Sequence, residues 1–293
     1  MRERSLDQFE SIFERASIPV LDIQELDLKR IAAVLRGDEL DESVLRLAEY
    51  LSRRFGAEVR LHWSATLNAD QVAGQAQAGG FAPAPGPFGS TAELVGQISI
   101  GRSQLVLLPD PAGETPALPP AVDIDRLVQG TAPPILLIRR SVEHPQAVFQ
   151  RILHSLTGNF QQTRNFAHSF ALVEEGGTIV LLHTINQTEL HDVRDALRVS
   201  PDIAATGGEE LLQSLTRRGE RYLKAVVAAS RKFPYDVSYR LAVGEVRATV
   251  ERELAAGEYG LLVVGRHQEG YSHVEAEDYQ LMHQVRHVPV LAL

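Results

Sequence analysis

Not one of the 293 residues is a cysteine. That excludes disulfides, thiolate nucleophiles and cysteine-ligated zinc or iron–sulfur centres, and it fits a cytoplasmic protein. Long hydrophobic runs are missing too. Apolar runs such as "ILLI" at 135–138 and "LLVV" at 261–264 fall far short of the roughly 20 residues that cross a bilayer. The start, "MRERSLDQFESIFERAS", has no apolar core and no small-residue cleavage site, so no secretory signal is read there. Basic clusters are scarce. The net charge is −9 and no Lys/Arg cluster exceeds a pair ("RR" stands at 53–54, 139–140 and 217–218), so there is no stripe for counterion release on nucleic acid or for an anionic membrane surface. No G-x-S-x-G elbow occurs, which leaves a hydrolase triad nothing to start from. What is present is 44% hydrophobic and 23% charged residues, a composition that builds a sizeable globular core.

The chain also contains one unit written twice. "KRIAAVLRGDELDESVLRLAEYLSRRFGAEVRLHW" (29–63) stands over "RILHSLTGNFQQTRNFAHSFALVEEGGTIVLLH" (151–183). Ile31 precedes Val59 by 28 positions, and Ile152 precedes Ile179 by 27. Further on, "QLVLLPDPAG" (104–113) matches "GLLVVGRHQEG" (260–270), and "VDIDRLVQGTAPPILLI" (122–138) matches "EDYQLMHQVRHVPVLAL" (277–293). Agreement at both ends of a unit marks a tandem repeat.

The second unit, 141–293, alternates strand and helix patterns throughout. Strands are expected at Ile152–Leu156, Thr178–His183, Val237–Leu241, Gly260–Val264 and Val288–Leu291, and helices at about 160–174, 208–231, 245–256 and 276–285. Continuous apolar strands between helices imply a parallel sheet covered on both faces. The first unit, 29–140, lacks about 35 residues in its middle. There "GQAQAGGFAPAPGPFGS" (74–90) reads as a Gly/Pro-rich surface loop, and 93–108 as a hairpin. Residues 1–28 hold one amphipathic helix, about 5–16, with Leu6, Phe9, Ile12 and Phe13 on one face; it packs on its own domain or serves as a dimer contact.

This pattern resembles the universal stress protein family in a tandem, two-domain form. The likeness is strongest in "LAVGEVRATVERELAAGEYGLLVVGRHQEG" and "RHVPVLAL". It implies an α/β fold of two tandem five-stranded parallel-sheet sandwiches, Rossmann-like (of the HUP kind), the first one degenerate. It also implies that 135–138 and 288–291 pair antiparallel as an intrachain pseudo-dimer, with protein partners as the mode of action and room for a homodimer.

Nucleotide-binding members carry an Asp at the end of the first strand and G-x2-G-x9-G-(S/T) after the fourth, whose glycines let backbone N–H groups approach phosphates. Here Thr157 and, in the first unit, Arg36 stand at the first position. Gly265 matches the first glycine, but Gln268 follows three residues on and the next glycine is displaced to Gly270. Glu277 and Asp278 open the last helix where Gly-Ser belongs; Asp123, Asp125 and Pro109 repeat the departure in the first unit. Acids cap helix starts and repel phosphate. The expectation is therefore an interaction protein, not an enzyme, with no cofactor. The alternative is a sensor that takes ATP, AMP or another small anion through Arg266 and the Gly265 amide. Any residual cavity should be lined by Leu156, Thr157, Gly158, Gly244, Gly265, Arg266 and Gly270, at the strand C-termini where parallel folds place ligands.

Histidines at 283 and 287 share a helix face and suit a metal, but a polar helix end is the commoner reading and no metal is expected. His62 and His183 close equivalent strands and read as structural, and Trp63 as packed at a strand end. Acid pairs at 192/195 and 277/278 could do acid–base work, yet lie in charged stretches that favour plain solvation.

Overall fold

Apolar strands separated by amphipathic helices form a single ten-stranded sheet with helices on both faces. The computed structural model describes residues 23, 26–110, 122–156, 166–186, 207–265 and 276–293, without the side chains of 207–211 and 276. In the first half run β1 (Arg30–Leu35), α1 (Asp41–Phe55), β2 (Glu58–Trp63), α2 (Ala69–Gly79), β3 (Ala82–Pro83), α3 (Thr91–Gly101), β4 (Leu105–Pro109), α4 (Ile124–Gly130) and β5 (Ile135–Ile138). A short α5 (Pro145–Gln150) leads into the second half. This comprises β6 (Arg151–Leu156), α6 (Phe166–Leu172), β7 (Thr178–Asn186), α7 (Gly207–Ser230), β8 (Asp236–Gly244), α8 (Val246–Ala256), β9 (Leu261–Val264), α9 (Ala276–Gln284) and β10 (Val290–Ala292).

The strand order is β3-β2-β1-β4-β5-β10-β9-β6-β7-β8, the same five-strand order twice, joined edge to edge. Every pair is parallel except β5 with β10, where Leu136 faces Leu291 and Ile135 faces Ala292. The expected intrachain pairing is thus present, with β10 starting at Val290 instead of Val288. The repeat spacing is a record of register. Ile31 sits beside Val59 and Leu105, and Ile152 beside Ile179 and Leu261.

Two apolar layers flank the sheet. Alternate strand residues such as Ile31, Leu107, Ile152 and Leu261 pack under α1, α2, α5, α6 and α7. Their neighbours, such as Val34, Val106, Leu153 and Leu262, pack under α3, α4, α8 and α9. Equivalent helices of both halves lie on the same face, so the pseudo-twofold axis runs perpendicular to the sheet between β5 and β10.

The stretch expected as a loop over 74–90 is instead partly helical. Ala and Gln are good helix formers, Val72 and Ala76 are buried, and the Asn68 side chain caps α2 by accepting the Asp70 N–H at 2.8 Å. Gly80, at φ 67°, ends the helix as a left-handed cap. The hairpin expected over 93–108 is α3 followed by β4. Ser90 accepts the Glu93 N–H at 3.3 Å, and Glu93 reaches back to the Gly89 N–H at 2.6 Å. A parallel strand such as β4 also needs a crossover that no hairpin supplies. The 5–16 helix expected near the N-terminus lies outside the described residues, although Ile23 and Leu28 are buried in the first layer.

Gly260 begins the approach to β9 where two backbones nearly touch. A Cβ there would meet the Ala147 carbonyl oxygen at 2.2 Å and that of Val148 at 2.6 Å. Gly260→Ala should therefore cost about 1–3 kcal/mol, read as a lower urea midpoint.

Candidate functional site

In a sheet of this order the crevice opens where connections diverge, beyond the C-termini of the first and fourth strands of each half. For the first half this is the gap between β1 and β4. β1 delivers Arg36 and Gly37, and β4 delivers Pro109 and Asp110. Gly37 turns the chain at φ 84°, with the Leu67 side chain 3.0 Å from where a Cβ would stand. The Arg36 side chain is 6% exposed and crosses the gap, donating from Nη1 to the Pro109 carbonyl at 3.2 Å. The turn after it is knit by its own acids. Asp41 accepts the N–H groups of Arg36 at 2.9 Å and Gly37 at 2.7 Å, and Asp38 accepts that of Leu40 at 3.0 Å. Burial pushes the Asp41 carboxyl up to about 6, against the pull of those two N–H bonds. Burial raises Asp38 as well.

Behind Pro109, Asp110 is 7% exposed and held by two guanidinium groups, Arg139 Nε at 2.9 Å and Arg286 Nη1 at 2.8 Å. Arg139 is 3% exposed and also donates to the carbonyls of Met282 and Val285 at the end of α9, so it ties the two halves together. Burial lowers it to about 10, with Asp110 opposing, which leaves it charged at neutral pH. At the start of α4, Asp123 accepts the Arg126 N–H at 3.0 Å as an N-cap. Asp125 accepts the Tyr279 hydroxyl at 3.0 Å and lies 2.7 Å from His283 Nε2. His283 thus belongs to a contact between halves, and no group of three metal-ligating side chains occurs among the described residues.

For the second half the gap lies between β6 and β9. β6 ends at Leu156 and β9 leads to half-buried Gly265. Thr157, Gly158, Arg266 and Gly270 lie outside the described residues. Gly244 ends β8 opposite Asn186. It shares the sheet edge with Gly265 but is separated from it by β7 and β6, about 14 Å at ordinary strand spacing. Asn186, at the end of β7, donates to Glu277 in the first turn of α9, a contact that bridges past the ends of β6 and β9. Asp278 beside it is 3% exposed.

His183 Nδ1 lies 3.0 Å from the Leu156 carbonyl, and His62 Nδ1 lies 2.9 Å from Gln97 Oε1. Burial lowers both histidines. The two are not equivalent as the sequence reading had them: β7 continues past His183 to Asn186, and in register His183 corresponds to Trp63 and His62 to Leu182, so they face opposite layers. Asn186, Arg139 and Arg286 were missed. For Arg139 a signal existed: a basic pair directly follows the strand expected on the dyad.

No protein-family model matches the chain, and no curated protein matches it. Solved structures do. A universal stress protein from Archaeoglobus fulgidus DSM 4304 superposes with a TM-score of 0.62 at 12% identity, over 91% of this chain and 98% of that one. The chain has the tandem universal stress protein fold. A functionally unknown protein from Pseudomonas aeruginosa PAO1 shares it, with a TM-score of 0.60 at 12% identity over 91% and 92% of the two chains. So does a candidate universal stress protein from Pseudomonas aeruginosa UCBPP-PA14, at 0.60 and 11% over 91% and 93%.

A nucleotide is the ligand that the family resemblance implies, so its fit can be tested on this version of the fold. Phosphate needs free N–H donors. Pro109 has none, the Arg36 and Gly37 N–H groups are taken by Asp41, and the Arg36 guanidinium lies in the gap. In the second half the first turn of α9 carries Glu277, a carboxylate that opposes a triphosphate, with Asp278 buried beside it. At the first-half gap, then, the backbone of Arg36, Gly37 and Pro109 offers a phosphate no free donor. Among them, no helix is long and apolar enough to cross a membrane.

Proposed function

We propose that this chain is a universal stress protein-like regulatory protein of the cytoplasm that acts in stress response by engaging protein partners, without ATP hydrolysis and without ATP binding of the usual kind. One observation carries the reading: the Arg36 side chain closes the first-half crevice on the Pro109 carbonyl. A side chain built into the fold there takes the place of an exchangeable ligand. Asp123, Asp125 and Glu277 at the α4 and α9 starts support it, since each accepts a hydrogen bond from this chain's own groups.

A thermal-shift series with ATP, AMP, cyclic nucleotides and Mg²⁺ tests this. No shift is expected, whereas a true ligand at 100 times its Kd would stabilise by about 2.7 kcal/mol. A reproducible ATP shift that Arg266→Ala abolishes would overturn the proposal in favour of a nucleotide sensor built around Gly265. Phosphate release above blank would overturn it in favour of an enzyme.

A further inference from the structure

The sheet has two outer edges, and they differ. One is β3, two residues long and ending in Pro83. The other is β8, nine residues without proline, paired to β7 along its whole length. Among the described residues no strand lies beyond β8. Its backbone phase follows from one bond, the Asp236 N–H donating to the Gly177 carbonyl at 2.9 Å. Even-numbered residues spend their N–H and C=O groups on β7, so those of Val237, Tyr239 and Leu241 point outward.

We propose that the β8 edge is where a second copy of this chain binds, antiparallel about a twofold axis at Ser238, joining the two sheets into one across the dimer. In that register Val237 faces Tyr239 of the other copy, and these outward-pointing residues form the hydrogen-bonded pairs. On the face under α7, Tyr235, Val237, Tyr239 and Leu241 are partly buried. They meet as Tyr235–Leu241 and Val237–Tyr239, aromatic against aliphatic. On the opposite face Asp236 meets Arg240 twice, in the closer, non-hydrogen-bonded positions. Both are exposed, and Arg240 has donors beyond the one it gives Glu253 at 2.5 Å. Shifting the centre to Arg240 sets that residue against itself. A centre at Tyr239 faces Asp236 with Ala242. The Ser238 centre alone of the three joins opposite charges. The short, proline-ended β3 cannot accept β8, so the contact closes as a dimer and does not propagate into a filament.

Sedimentation equilibrium on the full chain should give twice the 32.3 kDa chain mass in the micromolar range. Asp236→Arg and Arg240→Asp should each give one chain mass. An equimolar mixture of the two should dimerise again, since each unlike pair restores two ion pairs. An independent readout uses the lack of cysteine. Ser238→Cys faces its own copy and should form a disulfide dimer under mild oxidation, at least tenfold faster than Val243→Cys on the same strand. A monomeric wild type, a dimer indifferent to Asp236→Arg, a mixture that stays monomeric with both variants folded, or equal cross-linking at 238 and 243 would each overturn the proposal.

Discussion

Acid should destabilise this protein well before its carboxylates reach their usual titration range. His154 is 1% exposed, with Ser169 Oγ 2.9 Å from Nδ1 and the Phe166 ring centred 5.2 Å away. Burial drives it down to about 3, so it stays neutral in the fold while the unfolded chain takes a proton near 6.5. A depressed histidine contributes stability that is present above the unfolded value and lost as pH falls toward the folded one. From pH 6.5 to 5 that loss is about 2 kcal/mol for His154 alone. His62 and His183 are lowered by burial and add loss of the same sign. Asp41 works against them. Its raised pKa means that the folded state binds a proton below about 6 that the unfolded state takes only near 3.8. Asp38, also raised by burial, acts in the same sense, so two carboxyls oppose three histidines; His154, shifted furthest, sets the direction of the balance. Unfolding free energy from urea titrations should fall steadily from pH 7 to 5, and His154→Gln should flatten the slope by about 1.4 kcal/mol per pH unit. A midpoint that does not move across this range would show that the histidines are not held neutral.

Much of the fold was legible because register in a parallel sheet leaves its trace in spacing. Ile31, Val59 and Leu105 align as Ile152, Ile179 and Leu261 do, and each triple lies side by side in the sheet. Loss in the middle of the first half misled. Gly and Pro between 74 and 90 suggested a loop, but they punctuate a helix that ends at Gly80 and a two-residue strand that ends at Pro83. The Ser90–Glu93 signature before Leu94 announced α3. The candidate site was legible only in its omissions. Acids at helix starts could be read as caps, and Asp123 is one. Which residue would fill the crevice could not be read, because Arg36 and Pro109 lie 73 positions apart and meet only through the sheet order. The ties across the dyad are equally remote in sequence. Arg54 of α1 donates to the carbonyls of Ala171, Leu172 and Val173 and to Glu174, and so caps the C-terminus of α6 in the other half.

Arg139 makes the corresponding tie on the opposite face, and its removal should cost the most of any single substitution. Its guanidinium satisfies the Asp110 carboxylate and the last carbonyls of α9 at once. Arg139→Met keeps the apolar stem but leaves two helix carbonyls without that donor and Asp110 with Arg286 alone. Breaking a buried pair of this kind costs about 3–5 kcal/mol. Lysine should not rescue it, because one ammonium group cannot reproduce the fork that serves three acceptors. Asp110→Asn combined with Arg139→Met should cost less than the two changes summed, since the second removes a charge that the first has already half abandoned. Three residue pairs join β5 to β10, so little backbone pairing holds the halves together once the guanidinium is lost. Hydrogen exchange in Arg139→Met should therefore rise first at Leu137 and Val290, whose N–H groups face across the β5–β10 seam. Loss spread evenly over the sheet, or an unchanged unfolding free energy, would place the tie between halves elsewhere.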